Sequence, residues 1–491
     1  QFFLLRVAKI KSDEQGKFLA DRELAPYRHF LEQLFVEAKY QLSEPEEKIM
    51  RLKSTTAHSK WIEMTESFLA KEEREVTTED GQKEKKTLEG MKGLLKSKDK
   101  KIRDEAAIAW NDILSKFAEV AEAEVNAILA DKKIDDELRG FSRPDEERHL
   151  AEDIDSGVVE AMLTAVSSHF ATARQFYRLK ADLLGLPRLA YHERGLEYGN
   201  LDKKYAFAES VALVDRAFRK LDPEFSKIFQ SFLANGQIDV EPKKGKSGGA
   251  FCVHFSLSQP TFVLLNHSEK LRDVLTIAHE MGHALNNELM KQKQNALNFG
   301  TSLSVAEVAS TFMEDFALQE VVVDFDEETK LAILMAQLDD SISSVYRQVA
   351  CYLFERQLHE KFRAKGYLSK EEIGQIFQKQ MADYMGEAVE QSAGSENWWV
   401  YWSHIRRFFY VYSYASGLLI AKALQAEVRK NPQFIVKVKE FLSAGASDSP
   451  KNIFAKMGID ITDKRFWEKG LEEIHQMLEE AQALAKKLRK M

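Results

Sequence analysis

Two histidines and the glutamate that follows the first of them are the residues of this chain best suited to chemistry. They stand in the stretch His279-Glu-Met-Gly-His283. On a helix, residues four apart lie on the same face, one turn above each other, so the two imidazoles can bind one zinc ion. Glu280 can act as a base on a water molecule next to the same ion. The spacing therefore predicts the H-E-x-x-H site of a zinc-dependent hydrolase.

The residues around this motif predict a packed helix over residues 268–289. Asn266, followed by Glu269, is a candidate cap for its start. Burying two imidazoles and a carboxylate costs free energy unless these groups are paired or bind a metal, which favours a metal site over a structural accident. The apolar side chains that recur at helical spacing and form the buried stripe are Val274, Leu275, Ala278, Met281, Leu285 and Leu289.

A zinc ion that catalyses hydrolysis usually has three protein ligands and one open position, so the sequence must supply a third ligand. Residues 304–316 read as a helix and offer Glu307 and Glu314, which are seven apart and share a face. Glu307 has a second interpretation, because Ser304-Val-Ala-Glu307 also fits a capping box. The spacing alone leaves both interpretations open.

An aromatic block spans residues 398–417 and supplies candidate hydrogen-bond donors. Most of its large rings are expected in the core, namely Trp398, Trp399, Phe408 and Phe409. A buried tyrosine needs a partner for its hydroxyl, and Tyr410 and Tyr414 lie one helical turn apart. A tyrosine hydroxyl or a histidine N–H, such as that of His404, can stabilise an oxyanion when aimed at a carbonyl oxygen.

The rest of the chain predicts a mainly α protein. It contains only 9 Pro and 23 Gly among 491 residues, and so few helix breakers indicate long helices. The stretch from Gly140 to Pro144 is a candidate boundary between an N-terminal helical lobe, residues 1–139, and a catalytic domain, residues 140–491.

A small β-sheet is expected directly before the metal helix. Residues 250–256 and 261–265 are rich in β-branched and aromatic side chains and are separated by Pro260, so they read as two strands. An exposed edge of this sheet could pair with an extended peptide by strand addition. A purely structural hairpin is equally compatible with the pattern.

Composition excludes some classes of protein. The formal net charge of −8 argues against a nucleic-acid partner. No apolar run approaches the ~18 residues that span a membrane, so we expect no membrane partner. Cys252 and Cys351 are the only cysteines, which is no disulfide framework and is typical of a reducing compartment such as the cytoplasm.

Four elements together resemble a known family. They are Gly249-Ala-Phe-Cys252, the stretch from His279 to Leu285, Ala306-Glu-Val-Ala-Ser-Thr-Phe312, and His404 ten residues before Tyr414. Their order and spacing resemble the M3 family of zinc metallopeptidases, to which thimet oligopeptidase and neurolysin belong, and within it the oligoendopeptidase F branch. The resemblance covers most of the chain and is closest from about Gly140 onward.

The resemblance implies a zinc endopeptidase that hydrolyses internal bonds of short peptides. It implies one Zn²⁺ ion held by His279, His283 and Glu307, with Glu280 as general base. It further implies that His404 and Tyr414 bind the substrate or stabilise the transition state, with Tyr410 as a further candidate for this role. The implied fold has two helical lobes around a deep channel, with a small sheet beside the zinc. Many members carry histidine where this chain has Asn286, a position that is not a ligand.

Two rival interpretations differ in what they require of the sequence. A zinc carboxypeptidase of the Taq type is also helical and carries His-Glu-x-Gly-His-Ala-Leu, but the stretches 306–311 and 410–414 argue against it. A catalytically silent peptide-binding protein with a structural zinc is the other rival. Glu280 argues against that interpretation, because a structural zinc site needs no general base.

Overall fold

Helices make up most of the computed structural model, which describes residues 2–201, 203–323 and 325–490. The helices of the first half are α1 Phe2–Val7, α2 Ser12–Ala20, α3 Arg28–Glu37, α4 Glu44–Ser54, α5 Lys60–Lys71, α6 Leu88–Met91, α7 Lys100–Arg139, α8 Glu146–Ala151, α9 Ser156–Ser168, α10 Phe170–Leu183 and α11 Phe207–Leu221. Those of the second half are α12 Pro223–Ala234, α13 Leu271–Lys293, α14 Leu303–Ala306, α15 Val308–Val322, α16 Glu327–Ser341, α17 Gln348–Lys365, α18 Lys370–Met385, α19 Tyr412–Lys430, α20 Ile435–Ala444, α21 Pro450–Lys456 and α22 Lys464–Lys487. Within these ranges, no helix combines the length and the apolar character needed to cross a bilayer.

In the described ranges the strands form three small sheets. Strands β1 (Glu73–Thr77) and β2 (Lys83–Thr87) make an antiparallel hairpin, and β3 (Leu189–Ala190) pairs in parallel with β7 (Val389–Glu390). The third sheet has the order β4-β6-β5, with β4 (Ile238–Asp239) parallel and β5 (Phe251–Val253) antiparallel to β6 (Phe262–Leu264). Both β5 and β6 contact α13. The prediction of a mainly α chain with a small sheet beside the metal helix is confirmed.

The predicted apolar stripe buries one face of α13. Val274, Ala278, Met281 and Leu285 are fully buried in the main hydrophobic core, and Leu275 is only partly buried. The helix begins at Leu271 rather than at residue 268.

The predicted cap of this helix is wrong. The carboxylate of Asp273 accepts hydrogen bonds from the backbone N–H groups of Ser268 and Lys270, and it thereby satisfies donors at the start of the helix. Asn266 instead donates to the carbonyls of Ser247 and Gly249. The carboxylate of Asp273, inside the first turn, therefore caps the helix in place of Asn266, which we expected to cap it from before its start.

One glycine allows α13 and α15 to approach each other closely. A Cβ atom at Gly282 would lie 2.6 Å from Ser310 Cα and 2.7 Å from Ala309 O. Gly282 directly precedes His283 and lies against the backbone of α15. The contact at Gly282 therefore determines how near α15 comes to the two histidines. Any larger side chain would push the helices apart.

The cores of the molecule do not divide at residue 139. The main cluster of buried apolar side chains runs from Leu69 to Ala485 and includes the buried face of α7. A separate small cluster consists of Val7, Leu34 and Phe35. Helix α7 ends at Gly140, whose φ of 82° is left-handed. The boundary between residues 139 and 140 stays a prediction.

We expect Gly282→Ala to lower the free energy of unfolding by about 1–3 kcal/mol, because the added methyl group overlaps the backbone of α15. Urea denaturation of the purified protein measures this change. Gly16→Ala is the matched control, since Gly16 lies in α2 with no atom within 4 Å of an added Cβ. That control should gain up to about 1 kcal/mol from helix propensity. Equal stabilities of Gly282→Ala and the wild type would contradict the close approach.

Candidate metal centre

Three side chains from two consecutive segments converge on one point. The Oε2 atom of Glu307 lies 3.4 Å from His279 Nε2 and 3.6 Å from His283 Nε2. The candidate ligand atoms of these three residues all lie within 4.8 Å of one another. Two imidazole nitrogens and a carboxylate oxygen are the ligand types that zinc prefers in hydrolytic sites. The described residues therefore fit a single divalent cation.

Glu307 owes its position to the junction between α14 and α15. Its φ and ψ of −84° and −2° separate the two helices, and its side chain makes no cap hydrogen bond. Ser304 lies inside α14 rather than before a helix, so the capping-box interpretation is wrong. Ser310 Oγ donates to Glu307 Oε2 at 3.0 Å and helps to hold the carboxylate toward the histidines.

Glu314 occupies a supporting position rather than the ligand cluster. Its Oε2 atom lies 3.1 Å from His279 Nδ1, so it accepts a hydrogen bond from the N–H at that nitrogen and leaves Nε2 free to face the centre. Burial lowers the pKa of His279, but the hydrogen bonds to Glu307 and Glu314 outweigh burial and raise it to about 10. The same hydrogen bonds from His279 and His283 hold the pKa of Glu307 far below its usual range.

Glu280 lies on α13 next to His279 and interacts electrostatically with His279, His283 and Glu307. Its side chain is buried, and burial raises its pKa, with opposing contributions from His279 and His283. Its carboxylate accepts a hydrogen bond from the backbone N–H of Cys252 in β5. A buried carboxylate with a raised pKa is a competent proton acceptor near neutral pH. Sequence reasoning could not find the Cys252 contact, because it is made by a backbone atom.

His404, Tyr410 and Tyr414 form a second cluster close to the first. His404 Nε2 lies 3.4 Å from Tyr414 Oη, and the rings of Tyr410 and Tyr414 are 5.5 Å apart. Burial raises the pKa of Tyr414, and Glu307 adds to this rise through its charge. Gly417, one turn beyond Tyr414 in α19, brings the helix close to Glu307, since a Cβ there would lie 3.1 Å from Glu307 Cβ.

The aromatic block is not one helix. It consists of two 3₁₀ turns, Ser395–Val400 and Ser403–Arg407, followed by α19, which starts at Tyr412. Trp399 and Phe409 are buried as predicted, whereas Trp398 and Phe408 are only partly buried and pack against the core. Tyr410 precedes the helix, so its contact with Tyr414 comes from a turn and not from helical spacing. The helical spacing that we predicted as the reason for this contact is therefore wrong, although the rings of Tyr410 and Tyr414 do contact each other.

The turn before Tyr410 adopts an unfavourable backbone conformation that buried charges hold in place. Phe408 and Phe409 have φ angles of 43° and 54°, a region that bulky side chains rarely enter. The Phe409 N–H donates to the buried carboxyl group of Glu355 at 2.6 Å. Arg406 binds both carboxylate oxygens of Glu124 at 2.8 Å, which ties the turn to α7. None of these supporting residues was found from the sequence.

The chain is similar in sequence to known peptidases over almost its whole length. The sequence model of peptidase family M3 matches residues 93–473, and a second model, described as oligopeptidase F, matches residues 7–71. An oligoendopeptidase F homologue of Lactococcus lactis subsp. lactis is 23% identical over 99% of this chain and 81% of its own length. Oligopeptidase PepF of Bacillus subtilis is 23% identical over 99% of this chain and 73% of its own length.

Solved structures show the same fold. A structure from Chlamydophila abortus has a TM-score of 0.92 at 22% identity and covers 98% of this chain and 82% of its own. Oligoendopeptidase-F from Enterococcus faecium has a TM-score of 0.79 at 19% identity and covers 99% of this chain and 83% of its own. The family resemblance read from the sequence is thus confirmed. The chain belongs to peptidase family M3, and it is a metallopeptidase.

Proposed function

We propose that the protein is a zinc endopeptidase that hydrolyses internal bonds of short peptides. One Zn²⁺ ion would be held by His279, His283 and Glu307. The observation that carries the proposal is the convergence of these ligand atoms within 4.8 Å, with Glu280 on the same helix as the two histidines. A general base beside the ligands supports a catalytic rather than a structural ion.

Each residue of the site has its own role in the proposed hydrolysis. A zinc ion, when bound, supplies a Lewis acid that polarises the scissile carbonyl and lowers the pKa of water. Glu280, oriented by the Cys252 N–H, takes the proton of the attacking water and delivers it to the leaving amine. Tyr414 and His404 donate hydrogen bonds to the oxyanion, and Tyr410 packs against both rings.

The substrate backbone is proposed to pair with β5. This strand lies at the edge of its sheet and contacts α13, so a peptide added there would run past the metal centre. Phe251 and Phe255 are 41% and 80% exposed in and after this strand, and they offer apolar contacts to substrate side chains. Short peptides are the substrates that fit this mode, since a folded protein presents few free strands.

The proposal also includes the domain organisation of the enzyme, its location in the cell and its partners. Residues 1–139 are proposed as an N-terminal lobe and residues 140–491 as the catalytic domain. Both cysteines, Cys252 and Cys351, are unpaired in the described part of the chain, which supports a cytoplasmic location. The net charge of −8 supports the absence of a nucleic-acid partner.

Glu280→Gln should retain zinc and lose about 10²–10⁴-fold in kcat, because the amide cannot accept the proton of water. A mixture of unstructured peptides, with cleavage sites mapped by mass spectrometry and zinc measured by elemental analysis, tests this. Glu288→Gln is the matched control on α13, since Glu288 binds Thr261 and Lys291 instead. Unchanged turnover in Glu280→Gln would refute the assignment.

The same peptide mixture separates the rival functions. Internal cuts that disappear in Glu280→Gln support the endopeptidase. A ladder trimmed from the C-terminus would support a carboxypeptidase instead. Failure of the zinc-loaded wild type to cleave any peptide would support a silent binding protein.

Tyr414→Phe should lower kcat by about 10²-fold while KM changes by less than about twofold, because its hydroxyl bonds most strongly to the oxyanion of the transition state. Steady-state kinetics on one cleaved peptide measure both constants. Tyr412→Phe provides the control, since Tyr412 is 1% exposed and its ring packs against His149 and Tyr352 in the core. A pure change in KM would assign Tyr414 to substrate binding only.

Glu314→Gln should weaken zinc binding by about 10–100-fold, because the charged partner of His279 Nδ1 is lost. Competition with a zinc chelator measures the affinity without reference to activity. Glu320→Gln on the same helix is the control, as Glu320 pairs with Lys220 and Arg216. Identical affinities of Glu314→Gln and the control would remove Glu314 from the support of the metal centre.

A further inference from the structure

A cavity borders the segments that carry the candidate metal ligands. Its volume is about 310 Å³, which is near the lower end for ligand pockets and suits a single side chain of a peptide. Asn286, which lines it, follows His283 by three residues on α13. Val305, another lining residue, precedes Glu307 by two residues. The cavity therefore lies about one helical turn from the metal centre.

Helix α3 turns one face toward this cavity. His29, Gln33 and Glu37 are spaced four residues apart, so their side chains share that face. His29 Nε2 lies 2.6 Å from Asp153 Oδ2, and the amide of Gln33 donates to the other oxygen of the same carboxylate. All four residues line the cavity. Because His29 and Gln33 both reach Asp153, the side chain of Glu37, one turn further along, faces the cavity as well.

Hydrogen bonds from the loop after α13 hold the start of α3 in place. The carbonyl of Pro26, two residues before the helix, accepts hydrogen bonds from the side-chain amides of Asn295 and Asn298 at 3.0 Å and 3.1 Å. The same loop contributes Leu297 and Phe299 to the lining of the cavity. The walls formed by α3 and by the loop are therefore fixed relative to each other.

One of the four carboxylates that line the cavity has no counter-charge. The other three each pair with a basic side chain at 2.6–3.5 Å, namely Asp153 with His29, Asp448 with Lys456 and Glu152 with Arg148. Glu37 forms neither an ion pair nor a side-chain hydrogen bond with the described residues. It is half-buried, and both burial and the charge of Asp153 raise its pKa. A cation placed beside Glu37 would offset both effects.

The remaining walls of the cavity are largely apolar. They include the side chains of Phe30, Leu297, Phe299, Val305 and Phe441. A lysine or arginine side chain fits this combination, because its methylene stem packs against apolar surface while its charged end pairs with a carboxylate. The terminal ammonium of a peptide carries no such stem and would leave the apolar walls uncovered.

Phe299 connects the cavity to the strand proposed to bind the substrate backbone. The ring of Phe299 packs edge-on against the ring of His254, with 5.2 Å between their centroids. His254 directly follows β5. A peptide paired with β5 therefore runs beside a wall of the cavity, and one of its side chains can enter.

We propose that this cavity is a specificity subsite for a lysine or arginine side chain of the substrate, with Glu37 as the carboxylate that pairs with its charge. This role rests on the proposed peptidase function and adds a substrate class to it, namely short peptides with a basic residue near the cut bond. Glu37 determines specificity and takes no part in the bond cleavage itself.

The first test compares peptides that differ at one position. A peptide that the enzyme cleaves is resynthesised with lysine or norleucine at each position around the cut bond. Norleucine keeps the methylene stem and lacks the ammonium group. At one position we expect kcat/KM to be about tenfold higher for lysine than for norleucine, since a charged hydrogen bond is gained. Glu37→Gln should reduce this ratio to less than about twofold.

Glu66→Gln is the matched control for the loss of one carboxylate. Glu66 is exposed on α5 and does not line the cavity. The ratio of kcat/KM between the lysine and norleucine peptides should therefore stay at its wild-type value in this variant.

A binding measurement separates this proposal from the proposed function. Zinc-loaded Glu280→Gln is titrated with the same lysine and norleucine peptides, or with a fixed set of hexapeptides if the wild type cleaves none. We expect the lysine peptide to bind with a Kd about tenfold lower. The double variant Glu280→Gln/Glu37→Gln should lose this preference. A preference for lysine without any cleavage by the wild type would refute the peptidase and retain the subsite.

Three results would overturn the subsite. Equal Kd values for lysine and norleucine at every position do so, whether or not Glu37→Gln folds. A lysine preference that persists in Glu37→Gln places the basic side chain elsewhere. A preference for a free over an acetylated N-terminus, without any preference for lysine, would assign the cavity to the terminal ammonium.

Discussion

The close approach of α13 and α15 at Gly282 is the contact on which the metal centre depends. The two histidines belong to α13, and the third candidate ligand stands at the start of α15, so the distance between these helices sets the distance between the ligands. Glycine allows the backbones to touch where any other residue would hold them apart. Gly417 repeats the arrangement on the other side of Glu307, where α19 comes near. Because Gly282 and Gly417 have no side chain, α13, α15 and α19 can approach one another around Glu307.

The positions of the groups proposed to stabilise the oxyanion depend on a strained turn. They lie around a turn whose two phenylalanines have positive φ angles, and such strain persists only where surrounding contacts enforce it. Arg148 donates to the carbonyls of Arg407 and Phe408, and the carboxyl group of Glu355 receives the Phe409 N–H. Hydrogen bonds donated by a guanidinium are strong, and hydrogen bonds in a buried setting are strengthened by the low local dielectric. The turn is therefore held by residues distant in sequence, and its shape is a property of the assembled core.

Local patterns in the sequence were sufficient for part of this account. The apolar stripe of α13, the helical spacing of His279 and His283, and the two short strands before them all appear in the structure, although the strands are shorter than predicted and the helix starts later. The start was misjudged because Asp273 caps from inside the first turn, an option that competes with a cap before the helix. The aromatic block was misjudged because a strained turn looks like a helix when only spacing is considered.

By itself, the sequence determined the residue types and the helical register of the metal motif, since both depend on interactions within about one helical turn. The spacing alone left Glu307 open between a metal ligand and a helix cap, because Ser304-Val-Ala-Glu307 fits both, and the family resemblance was needed to name Glu307. The tertiary structure places Glu307 at a helix junction beside both histidines and Glu314 beside His279 Nδ1. It also supplied the contact between Glu280 and the backbone of Cys252. Such contacts join residues far apart in the chain, and only the packing of the whole core brings them together.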